Sequence, residues 1–116
     1  RYAALLDAAL LARVLKKPDL PLRLEAQALE LKENFNRHFW DEELGTYVLA
    51  LDGGKRPCRV STSNAGHTLF TGIAEPERAR RIAEAMTREP LFSGWGIRTV
   101  SASEVLYNPM SYHNGS

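Results

Sequence analysis

Residues 21–39 read Pro-Leu-Arg-Leu-Glu-Ala-Gln-Ala-Leu-Glu-Leu-Lys-Glu-Asn-Phe-Asn-Arg-His-Phe. Within them Leu24, Ala28, Leu31, Phe35 and Phe39 are spaced by four, three, four and four. That spacing puts all five on one face of an α-helix. Glu25, Glu30, Lys32 and Glu33 take the other faces. Asp19-Leu20-Pro21 supplies an N-cap region, with proline in the first turn, where its missing N–H leaves no bond unmade. A striped helix of this kind needs a partner for its apolar face.

One partner lies just upstream. Tyr2 to Lys17 is dominated by alanine and leucine, both strong helix formers. Lys16 and Lys17 suit the negative end of the helix dipole, and Pro18 stops the helix. Leu5, Leu6, Ala9, Leu10, Leu11, Val14 and Leu15 cover most of its circumference. Such a helix calls for neighbours on more than one side. Asp7 and Arg13 interrupt the apolar run, which is too short to span a bilayer. It also lacks the cleavage region of a signal peptide.

Downstream the period changes. Thr46 to Leu51 alternates as a short strand and ends in the turn Asp52-Gly53-Gly54. Arg59 and Val60 are the expected returning arm, with Pro57 confining it to an edge. Ser61 to Asn64 reads as a polar loop, and Ala65 to Ile73 as a short helix carrying His67. Glu75-Pro76-Glu77 opens a further helix, with acids and proline where a helix start favours them. Ala79, Ile82, Ala83 and Met86 form its expected apolar face, and Arg88-Glu89-Pro90 closes it. Ser93 to Ser116 is irregular apart from a strand-like piece, Ile97 to Val100. Long irregular segments in compact domains often carry function. The expected fold class is mainly α, built of helical hairpins with a small β-hairpin excursion.

Composition narrows the function classes. The chain has 116 residues, a formal charge of +1, 44% hydrophobic and 25% charged residues. This suits one globular domain at most and excludes a wholly disordered chain. Cys58 is the sole cysteine, so no internal disulfide forms, in keeping with a reducing, cytoplasmic compartment. No dense basic stripe is present, so no nucleic-acid partner is expected, and no membrane association either. The chain begins at Arg1, as a processed product or a piece of a longer protein would.

His38, His67 and His113 are far apart and match no zinc-ligand spacing, so neither metal nor cofactor is expected. His38, near a helix end, reads as a dipole partner. Cys58, between Arg56 and Arg59, reads as a semi-buried loop thiol, with no base beside it to make it a nucleophile. Ser93-Gly94-Trp95-Gly96 has neither the nucleophile-elbow order nor the third glycine of a dinucleotide loop. Glycoside hydrolysis needs two carboxyl groups flanking a sugar. Asp41, Glu42, Glu43, Asp52 and Glu104 are the candidates here. Asp41 to Glu43 is most simply a solvated turn. Glu104 is a weak catalytic candidate, with no partner carboxylate nearby in sequence. Trp95, Arg98, Tyr107, Asn108, Tyr112, His113 and Asn114 are residue types that sugar pockets use: flat rings for stacking, polar tips for hydroxyls. The three aromatics would serve equally well as core residues.

Three blocks together resemble the bacterial glycogen-debranching-type amylo-α-1,6-glucosidases. They are Phe39-Trp40 with Gly45 to Gly53, then Asn64 to Ile73, then Phe92 to Ser101 with Tyr107 to Ser116. They cover roughly residues 35–116 in the family's order. The resemblance implies an (α/α)6 toroid, of which residues 1–116 would be a slice of one catalytic domain. It implies an inverting α-glucosidase whose general acid lies upstream and general base downstream of the matched region. This segment would then supply sugar contacts and no carboxylate pair. Trp95, Gly96 and Arg98 would shape one side of the pocket, and Tyr107 and Asn108 are further substrate-binding candidates. Tyr112 and His113 would contact the terminal sugar, and Asn64 and His67 would line the floor. The expected partners are an α-glucan or oligosaccharide and the remainder of the toroid. In the family the block at Gly115-Ser116 continues with a tryptophan and an acid. The competing reading is a non-catalytic helical module that binds a glycan or protein. The apolar circumference of residues 3–15 also predicts marginal stability or self-association of the isolated chain.

Overall fold

The computed structural model describes residues 1–115, so Ser116, last of the matched block, lies outside the described residues. Helix α1, Tyr2–Val14, and helix α2, Leu20–His38, form an antiparallel hairpin. Arg13 near the end of α1 pairs with Glu25 near the start of α2, and Lys32 lies 5.9 Å from the Tyr2 ring centroid at the other end. α1 stops short of Lys17 because Lys16 takes a positive φ of 53°. The Lys17 N–H then reaches back to the Ala12 carbonyl and the Lys16 N–H to Arg13, the paired bonds of a left-handed C-terminal cap. Asp19 occupies the N-cap of α2 but makes no side-chain capping bond, so Pro21 marks that start. The stripe from Leu24 to Phe39 faces inward as expected. α1 buries only Ala9 and Ala12 completely. Leu10, Leu11, Val14 and Leu15 remain exposed, since α2 is the helix it packs against among the described residues.

Four short strands follow. β1, Trp40–Asp41, pairs antiparallel with β2, Thr46–Tyr47; β3, Ala50–Leu51, pairs antiparallel with β4, Pro57–Cys58. The expected single strand over 46–51 is thus divided between two hairpins. The Val48 N–H donates to the Phe39 carbonyl at 2.8 Å, and the Leu49 N–H to Cys58 at 3.1 Å. Successive amides of an extended chain point to opposite edges, so this segment serves a partner on each side. The returning arm is Pro57–Cys58, not Arg59–Val60. The turn before it is longer than two glycines because Asp52 Oδ1 accepts from both Gly54 N–H (2.8 Å) and Arg56 N–H (2.9 Å).

A 3-10 turn at Ser63–Ala65 leads into α3, Gly66–Thr71, which ends where Gly72 turns left-handed at φ 71°. α4, Pro76–Met86, buries Ile82 and Met86; Ala83, assigned to that face by its sequence position, is exposed. Beyond α4 the chain is irregular. Ile97–Val100 forms no strand, because its ends pair in different places: Ile97 with Phe92, and Val100 with Thr62. The core gathers Tyr47, Ala65, Ala74, Ile82, Met86 and Leu91, with Phe35, Phe39, Trp40, Leu69 and Ala79 around them.

One polar side chain crosses that core. Asn36 is 6% exposed. Its Nδ2 donates to the carbonyls of Lys32 and Ile73, each at 2.8 Å. Its Oδ1 accepts the Tyr47 hydroxyl and the Glu75 N–H, the latter at 3.1 Å. Every hydrogen-bonding position of the carboxamide is therefore used. Burial pushes the Tyr47 phenol above its ordinary pKa, so it stays a donor. Asn36→Leu should destabilise the protein by about 2–4 kcal/mol, since it orphans several buried groups at once. Urea denaturation followed by far-UV circular dichroism measures this.

The two hairpins are also tied by Arg59, whose Nε lies 2.6 Å from Asp41 Oδ2. The Leu44 N–H, and then Arg59, hold the Asp41 carboxyl below its ordinary pKa. The native state therefore resists protonation more than the unfolded chain does. Stability from this group is complete above about pH 4 and falls away as pH drops toward the folded value. Asp41→Asn should flatten that part of the stability–pH curve.

Candidate functional site

The irregular segment after α4 holds together through Arg98. Its Nη1 donates to the carbonyls of Phe92 (2.9 Å) and Pro90 (3.1 Å) and to Glu89 Oε2 (3.2 Å). Its Nε donates to the Tyr107 hydroxyl at 3.3 Å. The side chain is 17% exposed. Tyr107 first, then Glu89, stabilise the charged guanidinium and raise its pKa further. A charge so engaged organises the loop around it. Glu89 enters the site this way; in the sequence it reads only as part of a helix end.

Ser93 to Gly96 forms a tight turn beside this network. The Ser93 hydroxyl accepts from Gly96 N–H at 3.0 Å and lies 2.9 Å from the Gly96 carbonyl. Gly94 at φ 90° makes the reversal possible. The turn projects Trp95, which is 99% exposed. An open cavity of about 400 Å³ lies here, lined by Trp95, Gly96, Arg98, Tyr107, Pro109 and Gly115 among others. Among the described residues the Trp95 and Tyr112 rings are solvent-facing and pack into no core of this segment, while Tyr107 is half-buried.

The remaining candidates sit elsewhere. Tyr112 and His113 are exposed and pack edge to face at 4.8 Å, outside the cavity lining. Asn108 is exposed and turns its Oδ1 to the Met110 N–H at 3.0 Å. Asn64, in the 3-10 turn, borders a separate small cavity over Phe35, Phe39 and Tyr47. His67 is exposed on α3. Glu104 Oε1 accepts the Ser61 N–H at 2.7 Å, which fastens the last loop to the segment after β4. Among the described residues no carboxylate lines the Trp95 cavity.

Two sequence expectations need correction. Cys58 is an exposed strand residue, not a semi-buried loop thiol. Its arginine neighbours are committed to carboxylates, Arg56 to Asp52 and Arg59 to Asp41 and Glu43. The acidic run is only partly a solvated turn. Asp41 is a half-buried strand residue, while Glu42 accepts the Trp40 indole N–H at 2.6 Å and pairs with Arg81. Among the described residues no group of three or more His, Cys, Asp or Glu could hold a metal ion. No helix among them is long and apolar enough to cross a membrane.

The family model for the mannosylglycerate hydrolase MGH1-like glycoside hydrolase domain matches residues 1–116. No curated protein matches the chain significantly. Among solved structures, an uncharacterized conserved protein from Thermus thermophilus superposes with a TM-score of 0.82 at 24% identity. A GH63 mannosylglycerate hydrolase from the same organism, in complex with glucose, gives 0.80 at 24% identity. Each likeness covers 98% of this chain and 28% of the other. These likenesses show a shared, mainly helical fold, and the chain spans only 28% of the length of either structure.

Arg98 and Trp95 should separate in a stability measurement. Arg98→Ala should cost about 1–3 kcal/mol, because it frees several partners of one charged group. Trp95→Ala should change stability by less than about 0.5 kcal/mol, as an exposed side chain without packing partners. Denaturant midpoints of the two variants check this.

Proposed function

The chain belongs to the mannosylglycerate hydrolase MGH1-like glycoside hydrolase family, and from that premise we propose that residues 1–116 are part of one (α/α)6 catalytic domain and form a wall of its sugar site. The observation that carries the reading is Trp95, a fully exposed indole on a tight turn at the rim of the Arg98–Tyr107 cavity. An exposed flat ring beside fixed polar groups suits the apolar face of a sugar. Gly96 lines the cavity next to the ring, and Arg98 and Tyr107 hold the wall behind it. Asn108, Tyr112 and His113 form a second element of the site, and Asn64 and His67 a more distant one.

The chain spans 28% of the solved relatives' length, so the carboxylate pair is assigned to the rest of the domain. There one carboxylic acid protonates the glycosidic oxygen while the other carboxylate activates water against the anomeric carbon, which inverts its configuration. Glu104 is left out of that pair because its oxygen is held by Ser61.

Two substrate classes follow from the two lines of support. The family match spans all 116 residues and favours a small α-mannoside or α-glucoside such as mannosylglycerate. The motif resemblance spans roughly residues 35–116 and favours the α-1,6 branch of a glucan, as in amylo-α-1,6-glucosidases. We rank the small glycoside first, on the longer match. A non-catalytic glycan-binding module is the second reading, favoured by a Trp95 cavity whose described lining carries no carboxylate.

The test uses a chain carrying the complete domain, assayed on α-mannosylglycerate and on an α-1,6-branched malto-oligosaccharide. We expect hydrolysis of the former with inversion, seen as the β anomer first in NMR. Trp95→Ala should raise KM about tenfold, as loss of one stacking ring implies. Residues 1–116 alone should hydrolyse neither substrate. Hydrolysis by that segment, abolished by Glu104→Gln, would overturn the assignment of the carboxylates. Tight sugar binding by the complete domain without turnover would favour the module.

A further inference from the structure

Residues 108–115 leave and return to almost the same point. The Asn108 N–H donates to the Asn114 carbonyl, and the Ser111 N–H to the Asn108 carbonyl, each at 2.9 Å. Asn108 Oδ1 accepts the Met110 N–H at 3.0 Å. Gly115 is buried against this crossing. A methyl group on its α-carbon would stand 2.1 Å from the Asn108 oxygen and 3.0 Å from Pro109 Cα. Both neighbours are backbone, so no side-chain rotation relieves the overlap.

Between the crossing points the loop displays Tyr112 and His113, edge to face at 75° and solvent-facing. Thr99 Oγ1 donates to the His113 carbonyl at 3.2 Å and anchors the displayed pair. Pro109 and Gly115 both line the Trp95 cavity. The crossing therefore fixes the ring pair and completes the cavity wall together. Holding rings in place before a ligand arrives lowers the ordering cost of binding.

We infer that Asn108 and Gly115 are positioning residues: they clasp the 108–115 loop so that the Tyr112–His113 pair is preset as a second sugar contact beyond the lining of the Trp95 cavity. This rests on the sugar-site reading above. Asn108 acts through the loop, with its side-chain oxygen turned to Met110. Gly115 acts through the absence of a side chain.

The complete-domain protein is followed in two ways. NMR of the ligand-free protein reads the His113 ring protons, which the Tyr112 ring current displaces. Titration with α-mannosylglycerate and with maltotriose reads affinity. Gly115→Ala should return the His113 protons to their ordinary positions and weaken sugar binding about tenfold or more. Asn108→Ala should do the same. Asn108→Asp keeps the acceptor for Met110 and should restore both readouts. Gly53→Ala, which faces open space, should match the unaltered protein. The Asn108 pair decides the matter if Gly115→Ala does not fold. Unchanged His113 shifts or unchanged affinity in Asn108→Ala would overturn the clasp. So would Asn108→Asp losing as much affinity as Asn108→Ala, which marks a direct carboxamide contact with sugar. If the unaltered protein binds neither sugar, the sugar reading fails and the His113 shifts alone decide the clasp.

Discussion

A buried carboxamide is tolerated only when its donors and acceptors are all met. Asn36 meets that condition by reaching three parts of the chain at once. It bonds α2 through Lys32, the α3–α4 connection through Ile73 and Glu75, and the β1–β2 hairpin through Tyr47. Its own backbone carbonyl accepts Arg78 of α4 at 2.6 Å. Apolar contacts among Phe35, Tyr47 and Ile82 supply bulk attraction but little direction. The carboxamide supplies direction, because its four bonds are satisfied only in one arrangement of those segments.

The same division of labour recurs beyond α4, where regular structure ends. Leu91 is buried in the core, and the loops outside it are held by polar staples. Arg98 gathers Glu89, Pro90, Phe92 and Tyr107. Glu104 fastens the following turn to Ser61. Ser101, almost fully buried, donates its N–H to the Ser61 carbonyl at 3.0 Å. An irregular chain cannot satisfy its own backbone as a helix does, so side chains and neighbouring strands complete it. The stapling leaves Trp95 and Tyr112 outside the packing, where large rings stay exposed only at some cost in solvation.

The helices were legible because their signals are local. The spacing of Leu24 to Phe39 and the prolines at 21 and 76 each act within a turn or two, whereas the left-handed Gly72 that ends the short helix before Ile73 went unread. The β3–β4 hairpin was legible from its Asp52-Gly53-Gly54 turn, with the returning arm two residues early; the β1–β2 pair was not, because two-residue strands carry no period. Trp40 and Asp41 read as the end of a helix and the start of an acidic run. Asn36 was missed for a related reason: one polar residue on a helix looks solvent-facing until its distant partners are known. In the site, the residue types were legible and their placement was not. Sequence offered Trp95, Arg98 and Tyr107 as a group, and they do share a cavity. It also offered Asn64 and His67, which the fold puts elsewhere. The motifs led to glycoside hydrolases but to a different branch from the one the family match gives, since toroid scaffolds are shared across substrates.

The reach of Asn36 has a consequence for the order of events during synthesis. α1 and α2 contact each other over short sequence distances, so this hairpin is free to form once residue 38 has left the ribosome. The Ile73 and Glu75 partners of Asn36 come 37 and 39 residues after it. At translation speeds of about 5–20 residues per second, that gap lasts roughly 2–8 seconds. Throughout it, the carboxamide of Asn36 keeps its hydrogen bonds with water. The α2 register around Asn36 is therefore fixed late, when the arriving α3–α4 connection takes the place of water on the carboxamide.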